Sequence, residues 1–124
     1  MRHFSFKEMI RSATAGKQGI DNMPKEVGII DNLDLLIEQV LEPLRVAMGF
    51  PVVISSGYRC KELNKAVGGV TNSLHMQGRA ADINCGKVRN QLIYDWLKAG
   101  RDSGALPISE LLWEQSGTWV HVAI

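Results

Sequence analysis

The most informative segment of this chain covers residues 73–82 and reads Ser73-Leu74-His75-Met76-Gln77-Gly78-Arg79-Ala80-Ala81-Asp82. Ala80 begins an apolar run that is typical of a short buried strand, and Asp82 places a carboxylate inside it. An unpaired buried charge is strongly unfavourable, so Asp82 needs a metal ion or a cationic partner. Gly78 allows the chain to turn between His75 and Asp82.

A second histidine has similar surroundings near the end of the sequence. His121 lies in Trp119-Val120-His121-Val122, which predicts the last strand of a hairpin. Two imidazoles and one carboxylate suit zinc, and three protein ligands with a fourth position open are typical of catalytic zinc sites. A histidine in an apolar strand is also commonly a hydrogen-bonded core residue. The spacing alone therefore leaves both a metal site and a structural cluster open.

The segment before residue 50 predicts helices. Ser5 and Glu8 form a capping-box pattern for a first helix that ends near Gly16, and Pro24 is a suitable first residue for a second. Apolar residues then recur at helical spacing, which predicts one long core helix. Pro43 is expected to kink or loosen this helix, and Gly49 to end it.

The segment after residue 50 predicts strands interleaved with helices. The expected elements are, in order, a strand at 52–54, a helix at 61–67, a loop at 70–78, a strand at 80–84, a helix at 88–98, and a hairpin of strands 108–115 and 118–124. The helix at 88–98 is expected to direct inward Leu92, Ile93, Trp96 and Leu97. Helices first and strands later indicate the α+β class, with N-terminal helices packed on a small antiparallel sheet.

The composition is that of a globular protein. The chain has 124 residues, of which 45% are hydrophobic and 22% are charged, and its net charge is +1. One domain, residues 1–124, is expected. The basic residues are scattered, so we expect no nucleic-acid partner, and no apolar run is long enough for membrane insertion. We expect a monomer.

The two cysteines and the N-terminus say little about function. Cys60 and Cys85 are too few for a disulfide framework, and they indicate either two free thiols or a single disulfide. Residues after Met1 lack the apolar core of a signal peptide. We therefore expect synthesis in the cytoplasm, and action outside the cell would need release or another delivery route.

A family resemblance extends across most of the chain. It is carried by Ser56-Gly57-Tyr58-Arg59, Leu63-Asn64, Val67-Gly68-Gly69, Ser73-x-His75-x-x-Gly78-x-Ala80-x-Asp82 and Trp119-Val120-His121-Val122. In these motifs the sequence resembles the zinc D-alanyl-D-alanine carboxypeptidases and related peptidoglycan peptidases, a Hedgehog/DD-peptidase-like group that includes phage cell-wall endopeptidases. The resemblance implies a single Zn²⁺ domain whose sheet carries the metal on His75, Asp82 and His121.

The resemblance also implies roles for residues around the metal. Arg59, which follows Ser-Gly-Tyr, corresponds to an arginine that binds or polarises the substrate, and its guanidinium suits a carboxylate or an oxyanion. A structural ion pair with a loop carboxylate is the alternative for Arg59. Ser73 is expected either to bind substrate beside the metal or to act only as a turn residue.

The general base is the point at which this sequence departs from the family pattern. Related enzymes often carry an acid three positions before the last histidine, and this chain has Thr118 there. A turn centred on residues 116–117 puts Glu114 opposite Trp119, on the same sheet face as His121. We therefore predict Glu114 as the catalytic base, with an exposed strand carboxylate as the alternative.

Three aromatic residues receive weaker predictions. Trp119 shares the site face, where it either borders the substrate groove or covers the sheet. Trp113 has the opposite parity and is expected in the core with Val120 and Val122. Tyr58 is expected to pack rather than to take part in catalysis.

The functional hypothesis is zinc-dependent hydrolysis of peptidoglycan stem peptides or cross-links, by a carboxypeptidase or an endopeptidase. The resemblance implies action on the cell wall, after release or after delivery by a phage-type system. Its rival is a catalytically silent zinc or cell-wall-binding module, for example in a phage structural assembly, which the missing acid at Thr118 favours. A metal-free structural domain is the third hypothesis, and it requires another partner for Asp82.

Overall fold

The computed structural model of the protein describes residues 2–124. The helices of this range are α1 (Phe6–Ile10), α2 (Ala13–Gln18), α3 (Val27–Leu36), α4 (Glu42–Met48), α5 (Lys61–Ala66) and α6 (Lys87–Ser103). The strands are β1 (Ile54–Ser56), β2 (Ala80–Ile83), β3 (Glu110–Glu114) and β4 (Trp119–Ala123). Shorter elements are a π-helical segment, Ile37–Leu41, and 3₁₀ turns at Leu74–Gln77 and Gln115–Gly117. The predicted α+β class is confirmed.

The strands form one four-stranded antiparallel sheet in the order β1-β2-β4-β3. Side chains alternate between its two faces. One face joins the hydrophobic core through Ile54, Ala81, Ile83, Leu111, Val120 and Val122. The opposite face carries the polar residues Asp82 and His121, which therefore share the solvent side of the two central strands.

Helical residues complete the core. The fully buried ones include Leu33, Leu36, Val40, Leu44, Ile93 and Leu97. Burying an aliphatic side chain of this size contributes about 1.5–3 kcal/mol relative to leaving it in water. The helices thus pack on one face of the sheet through apolar contacts, and the face that carries Asp82 and His121 is not part of this core. No helix within residues 2–124 is sufficiently long and apolar to cross a membrane.

The long core helix is loosened next to Pro43, as predicted. Within Ile37–Leu41 the backbone hydrogen bonds change from the α-helical to the π-helical pattern. The Glu42 N–H, for example, donates to the Ile37 carbonyl five residues back. Proline has no N–H for the α-helical bond and its ring crowds the preceding turn, so a local π-helical turn accommodates it. Gly49 ends the helix in the left-handed conformation, with φ of 72°.

The N-terminal helix boundaries were predicted wrongly. The capping box of Ser5 and Glu8 is present, but α1 ends at Ile10 and not at Gly16. Ser12 begins a separate helix, because its side chain accepts a hydrogen bond from the Ala15 N–H at 3.1 Å. A second N-cap so close to the first divides the predicted helix into two.

The next helix also starts later than predicted. It begins at Val27 rather than at Pro24. The preceding connection is tied down by Asn22, whose amide donates to the Ile10 and Tyr58 carbonyls at 2.8 Å and 2.9 Å. These non-helical contacts keep the segment around Pro24 out of the helix.

The first strand and the sixth helix differ from the prediction as well. β1 covers 54–56 instead of 52–54, because Ile54 pairs with Ile83 and Ser56 with Asp82. α6 continues to Ser103, and its Leu92 is exposed rather than buried. Ile93 and Leu97 face the core, so the inward stripe is narrower than predicted.

Trp113 is not a core residue, contrary to the prediction. It does pair with Val120 on the core side of β3, but 37% of the residue is exposed. β3 is an edge strand, so this side chain lies at the rim of the core. Its ring packs edge-on against Tyr94, with centroids 5.5 Å apart, and lies over Gly117. Tyr58 is buried, in agreement with a packing role.

Both cysteines are free thiols. The Cys60 sulfur accepts a hydrogen bond from the Leu63 N–H at the start of α5, and the Cys85 sulfur accepts one from the Val53 N–H. Of the two alternatives for the cysteines, the structure has the unpaired thiols.

Candidate metal centre

Two of the three predicted metal ligands are brought together by the sheet itself. Asp82 on β2 and His121 on β4 are directly opposed residues of an antiparallel pair. Their side chains lie on the same face, and the His121 Nδ1 is 2.9 Å from the Asp82 Oδ1. The contact therefore follows from strand register, which the apolar residues on the core face fix.

The third ligand arrives from the 3₁₀ turn that precedes β2. His75 has an exposed fraction of only 3%, and its Nε2 is 3.2 Å from the same Asp82 oxygen. Ser73 starts this turn by accepting the His75 N–H, and Gly78 ends it with φ of 72°. The His75 carbonyl also accepts the Arg59 N–H, which fixes the turn against the segment after β1.

These three side chains have the geometry of a metal site. One ligand atom from each of His75, Asp82 and His121 lies within 4.8 Å of the other two. Two imidazole nitrogens and one carboxylate oxygen suit zinc and leave a fourth position open. The donor set thus fits a zinc ion, and the predicted fold, an antiparallel sheet with a possible metal site, is confirmed.

The electrostatics of the cluster keep Asp82 ionised. Burial raises the pKa of its carboxyl, but hydrogen bonds from His121 and His75 outweigh this and bring the pKa to about 2. Burial lowers the pKa of His121, whereas hydrogen bonds to Asp82 and to Glu110 raise it above its ordinary value overall. A buried carboxylate held in its charged form is what a cation site requires.

Arg59 lies beside the cluster and contacts Asp82 directly. Its guanidinium donates to the Asp82 Oδ2 at 3.5 Å, to the Asn64 Oδ1 at 2.9 Å and to the Ser56 Oγ at 3.1 Å. Burial lowers the pKa of Arg59, and the Asp82 charge opposes that shift. The ion-pair partner of Arg59 is thus the strand residue Asp82 and not a loop carboxylate. Its side chain also lines the cavity beside the cluster, and its substrate role stays a prediction.

Asn64 and Gly69 support Arg59, and sequence reasoning did not assign them this role. Asn64 is buried, and its amide donates to the Val70 carbonyl while its oxygen accepts from Arg59. A Cβ on Gly69 would lie 2.1 Å from the Asn64 Oδ1 and 2.7 Å from an Arg59 nitrogen. Glycine at this position therefore leaves room for the Arg59–Asn64 contact.

The register of the last hairpin agrees with the prediction for Glu114. Glu114 pairs with Trp119 and Leu112 with His121, so Glu114 is on the site face. Glu114 and Trp119 both line the cavity of about 650 Å³ into which the three predicted metal ligands face. The roles of these two residues in catalysis and substrate binding remain predictions.

Glu110 is a site residue that the sequence reasoning missed. It lies four positions before Glu114, hence on the same face of β3, and its Oε1 is 2.7 Å from the His121 Nε2. The period of two in the predicted strand 108–115 contained the signal that could have identified it, because Glu110 has the parity of Glu114. Gly57 was missed too, because its carbonyl, 2.7 Å from the His75 Nδ1, leaves no trace in the side-chain pattern.

Ser73 and Thr118 complete the comparison of predicted and observed positions. Ser73 caps the 3₁₀ turn and also lines the cavity, so its turn role is present and its substrate role remains a prediction. Thr118 donates its hydroxyl to the Gln115 carbonyl within the hairpin turn. It is engaged in turn structure, in keeping with its inability to act as a base.

Comparisons with known proteins give one relative and one family. Over 47 residues the chain is 45% identical to the zinc D-Ala-D-Ala carboxypeptidase of Streptomyces albus G, and the alignment covers 37% of this chain and 18% of that enzyme. The chain thus spans a small part of this relative, whose name includes the metal that the donor set fits. The family described as Peptidase M15 matches residues 2–123. The match extends over nearly the whole chain, which therefore belongs to the Peptidase M15 family.

Proposed function

We propose that this chain is a zinc metallopeptidase that hydrolyses peptide bonds in the stem peptides or cross-links of bacterial peptidoglycan. The observation that carries the proposal is the convergence of His75, Asp82 and His121 within 4.8 Å at a cavity that Arg59 and Glu114 also line. Family membership and the carboxypeptidase relative support the reaction class. We further propose that residues 1–124 form one peptidase domain.

His75, Asp82 and His121 would hold the ion in this proposal. When bound, zinc supplies a Lewis acid that acidifies water and polarises a scissile carbonyl. Glu114 accepts the proton of the attacking water and later donates it to the leaving amine. Arg59 is held by its hydrogen bonds to Ser56 and Asn64. Its other guanidinium N–H groups donate hydrogen bonds to the carboxylate or oxyanion of the peptide.

Metal content and peptide release together test the proposal. We expect about one zinc per wild-type chain, none in His75→Ala, and new amines in digests of purified peptidoglycan. Glu114→Gln is expected to keep its zinc and to lose about 10²–10⁴-fold in turnover, the range for a lost general base. Glu62→Gln, on the exposed surface of α5, is the matched control.

The outcomes separate the parts of the proposal. Wild-type protein that binds no zinc when zinc is added would overturn the peptidase function. Unchanged turnover in Glu114→Gln, with zinc retained, would overturn only the assignment of the base.

A second function is favoured by one observation, which is Thr118 at the position where related enzymes carry an acid. The chain would then be a silent zinc or cell-wall-binding module, for example in a phage assembly. Binding to purified peptidoglycan by the zinc-loaded protein, without release of amines, would select this function. Amine release that depends on Glu114 would reject it.

A further inference from the structure

The two histidines of the cluster are fixed in different ways on the side away from Asp82. Each ring directs one nitrogen at the Asp82 Oδ1 and the other at a hydrogen-bond acceptor. For His75 that acceptor is the Gly57 carbonyl, 2.7 Å from Nδ1. For His121 it is the Glu110 carboxylate, 2.7 Å from Nε2. A backbone group thus holds one ring, and a side chain holds the other.

We propose that Glu110 is a positioning residue that orients His121 for metal binding. The proposal rests on the proposed function, in which His121 is a zinc ligand. A neutral imidazole has one N–H, and an acceptor at Nε2 keeps that proton there and leaves the Nδ1 lone pair for the metal. The negative charge of Glu110 also makes the ring a stronger ligand, because carboxylate partners raise the basicity of metal-binding histidines.

Strand register explains why Glu110 reaches this nitrogen. Leu112 is the residue opposite His121, so Glu110 and Glu114 are its two diagonal neighbours on β3. Long side chains reach diagonal neighbours on an antiparallel pair. Glu110 contacts the ring nitrogen that is turned away from Asp82, whereas Glu114 lies farther along β3 opposite Trp119, and both glutamates line the cavity.

Glu110 and Glu114 therefore have different proposed roles, one in holding His121 and one in proton transfer. A base must reach the water that attacks the substrate, on the metal side of the ring. Glu110 instead contacts the far side of the ring, and about half of its side chain is exposed to solvent. Its removal should weaken metal binding while leaving proton transfer by Glu114 in place.

Zinc affinity, measured by competition with a chromophoric chelator, tests the proposal. We expect Glu110→Ala to raise the zinc Kd by about 10–100-fold, the usual effect of removing the partner of a ligating histidine. Glu110→Gln, which keeps an acceptor but loses the charge, should show a smaller rise. Glu62→Ala, on the exposed face of α5, should leave the Kd unchanged.

The visible spectrum of the cobalt-substituted protein gives a second readout, because it reports ligand geometry independently of turnover. Glu110→Ala is expected to change this spectrum, and Glu110→Gln to restore most of it. At saturating zinc, Glu110→Ala should recover most of its turnover.

Three results would overturn the proposal in distinguishable ways. If wild type binds zinc and Glu110→Ala has the same Kd and cobalt spectrum, Glu110 has no positioning role and the proposed function stands. If Glu110→Ala keeps its Kd but loses turnover as steeply as Glu114→Gln, Glu110 is itself the base. If wild type binds no zinc, the proposed function fails first.

Discussion

The helical half of the protein, residues 2–49, and the sheet half, residues 50–124, bury side chains of different chemistry. Among the described residues, the buried polar side chains of the sheet half are Asn64, Ser73, His75, Asp82 and Asn90, whereas the helical half has Asn22. The helical half instead supplies a dense set of buried leucines from α3 and α4. Among the described residues, the helical half therefore packs almost entirely through apolar side chains, whereas the sheet half combines its own apolar packing with the polar cluster, which is separate from the helical half.

The sharpest way to break this separation is to remove the charge of Asp82. Asp82→Asn keeps the size of the side chain and loses the anionic ligand, so we expect no stoichiometric zinc. Zinc should raise the thermal midpoint of wild type, since a ligand that binds only the folded state stabilises it, but not that of the variant. Elemental analysis and thermal unfolding with and without added zinc measure both effects.

Circular dichroism of Asp82→Asn serves as the control, and it should match that of the metal-free wild type. Loss of helical signal in this variant would show that the helical half depends on the metal cluster, contrary to the separation.

The opposite test removes apolar support and leaves the cluster untouched. Leu36 is fully buried in α3, and Leu36→Ala is expected to lower the free energy of unfolding by about 2–5 kcal/mol. Urea unfolding measures the loss, and the neighbouring Leu35→Ala, which truncates an exposed side chain, is the matched control. Zinc affinity of folded Leu36→Ala should equal that of wild type. A weaker affinity would mean that packing in the helical half sets the ligand geometry.

The same contrast explains what the sequence could predict. Period-two patterning placed Trp119, His121 and Glu114 on one sheet face, and the observed register agrees. Such patterning works because core burial fixes which face each strand residue takes. The family motifs supplied the prediction of the three ligands, which the spacing of His75 and Asp82 alone left open.

The remaining features depend on contacts between distant segments, which a local pattern does not contain. Asn90 is buried in α6, and its amide donates to the Gly117 carbonyl at 2.9 Å, which fixes the hairpin turn. Its oxygen accepts the Cys85 N–H at 2.8 Å. Asn22 likewise ties the loop before α3 to the segment after β1, which is why the predicted helix start at Pro24 was wrong.

A smaller perturbation tests the support of Arg59 within the sheet half. Gly69→Ala forces its Cβ against Asn64 and Arg59, so we expect the guanidinium to shift. The expected result is a loss of about tenfold in kcat/KM, equivalent to about 1.4 kcal/mol, with unchanged zinc content. Gly16→Ala, where a Cβ meets nothing within 4 Å, is the matched control. Full activity in Gly69→Ala would show that Arg59 tolerates displacement.

The smallest expected effect concerns Glu42, whose carboxylate binds the N-terminal segment in the helical half. Glu42 accepts hydrogen bonds from the backbone N–H groups of His3 and Phe4, and its other oxygen is 2.8 Å from the His3 Nδ1. Burial raises the pKa of Glu42, but the contacts with His3 and Phe4 outweigh it and lower the pKa below its ordinary value of 4.5. Because the folded pKa is the lower one, this stabilisation is complete above about pH 4.5 and is lost as pH falls through the folded pKa.

Glu42→Gln is therefore expected to lower the free energy of unfolding by about 1 kcal/mol at neutral pH, and by progressively less in acid. Urea unfolding of both proteins at pH 7 and at successive values below 4.5 measures this convergence. Glu38→Gln, on the exposed side of the π-helical segment, should show no such pH dependence. Glu42 does not line the cavity beside the predicted metal ligands. The zinc affinity of Glu42→Gln should therefore equal that of wild type at neutral pH. If Glu42→Gln lost zinc together with stability, the result would show that the two halves unfold as one cooperative unit.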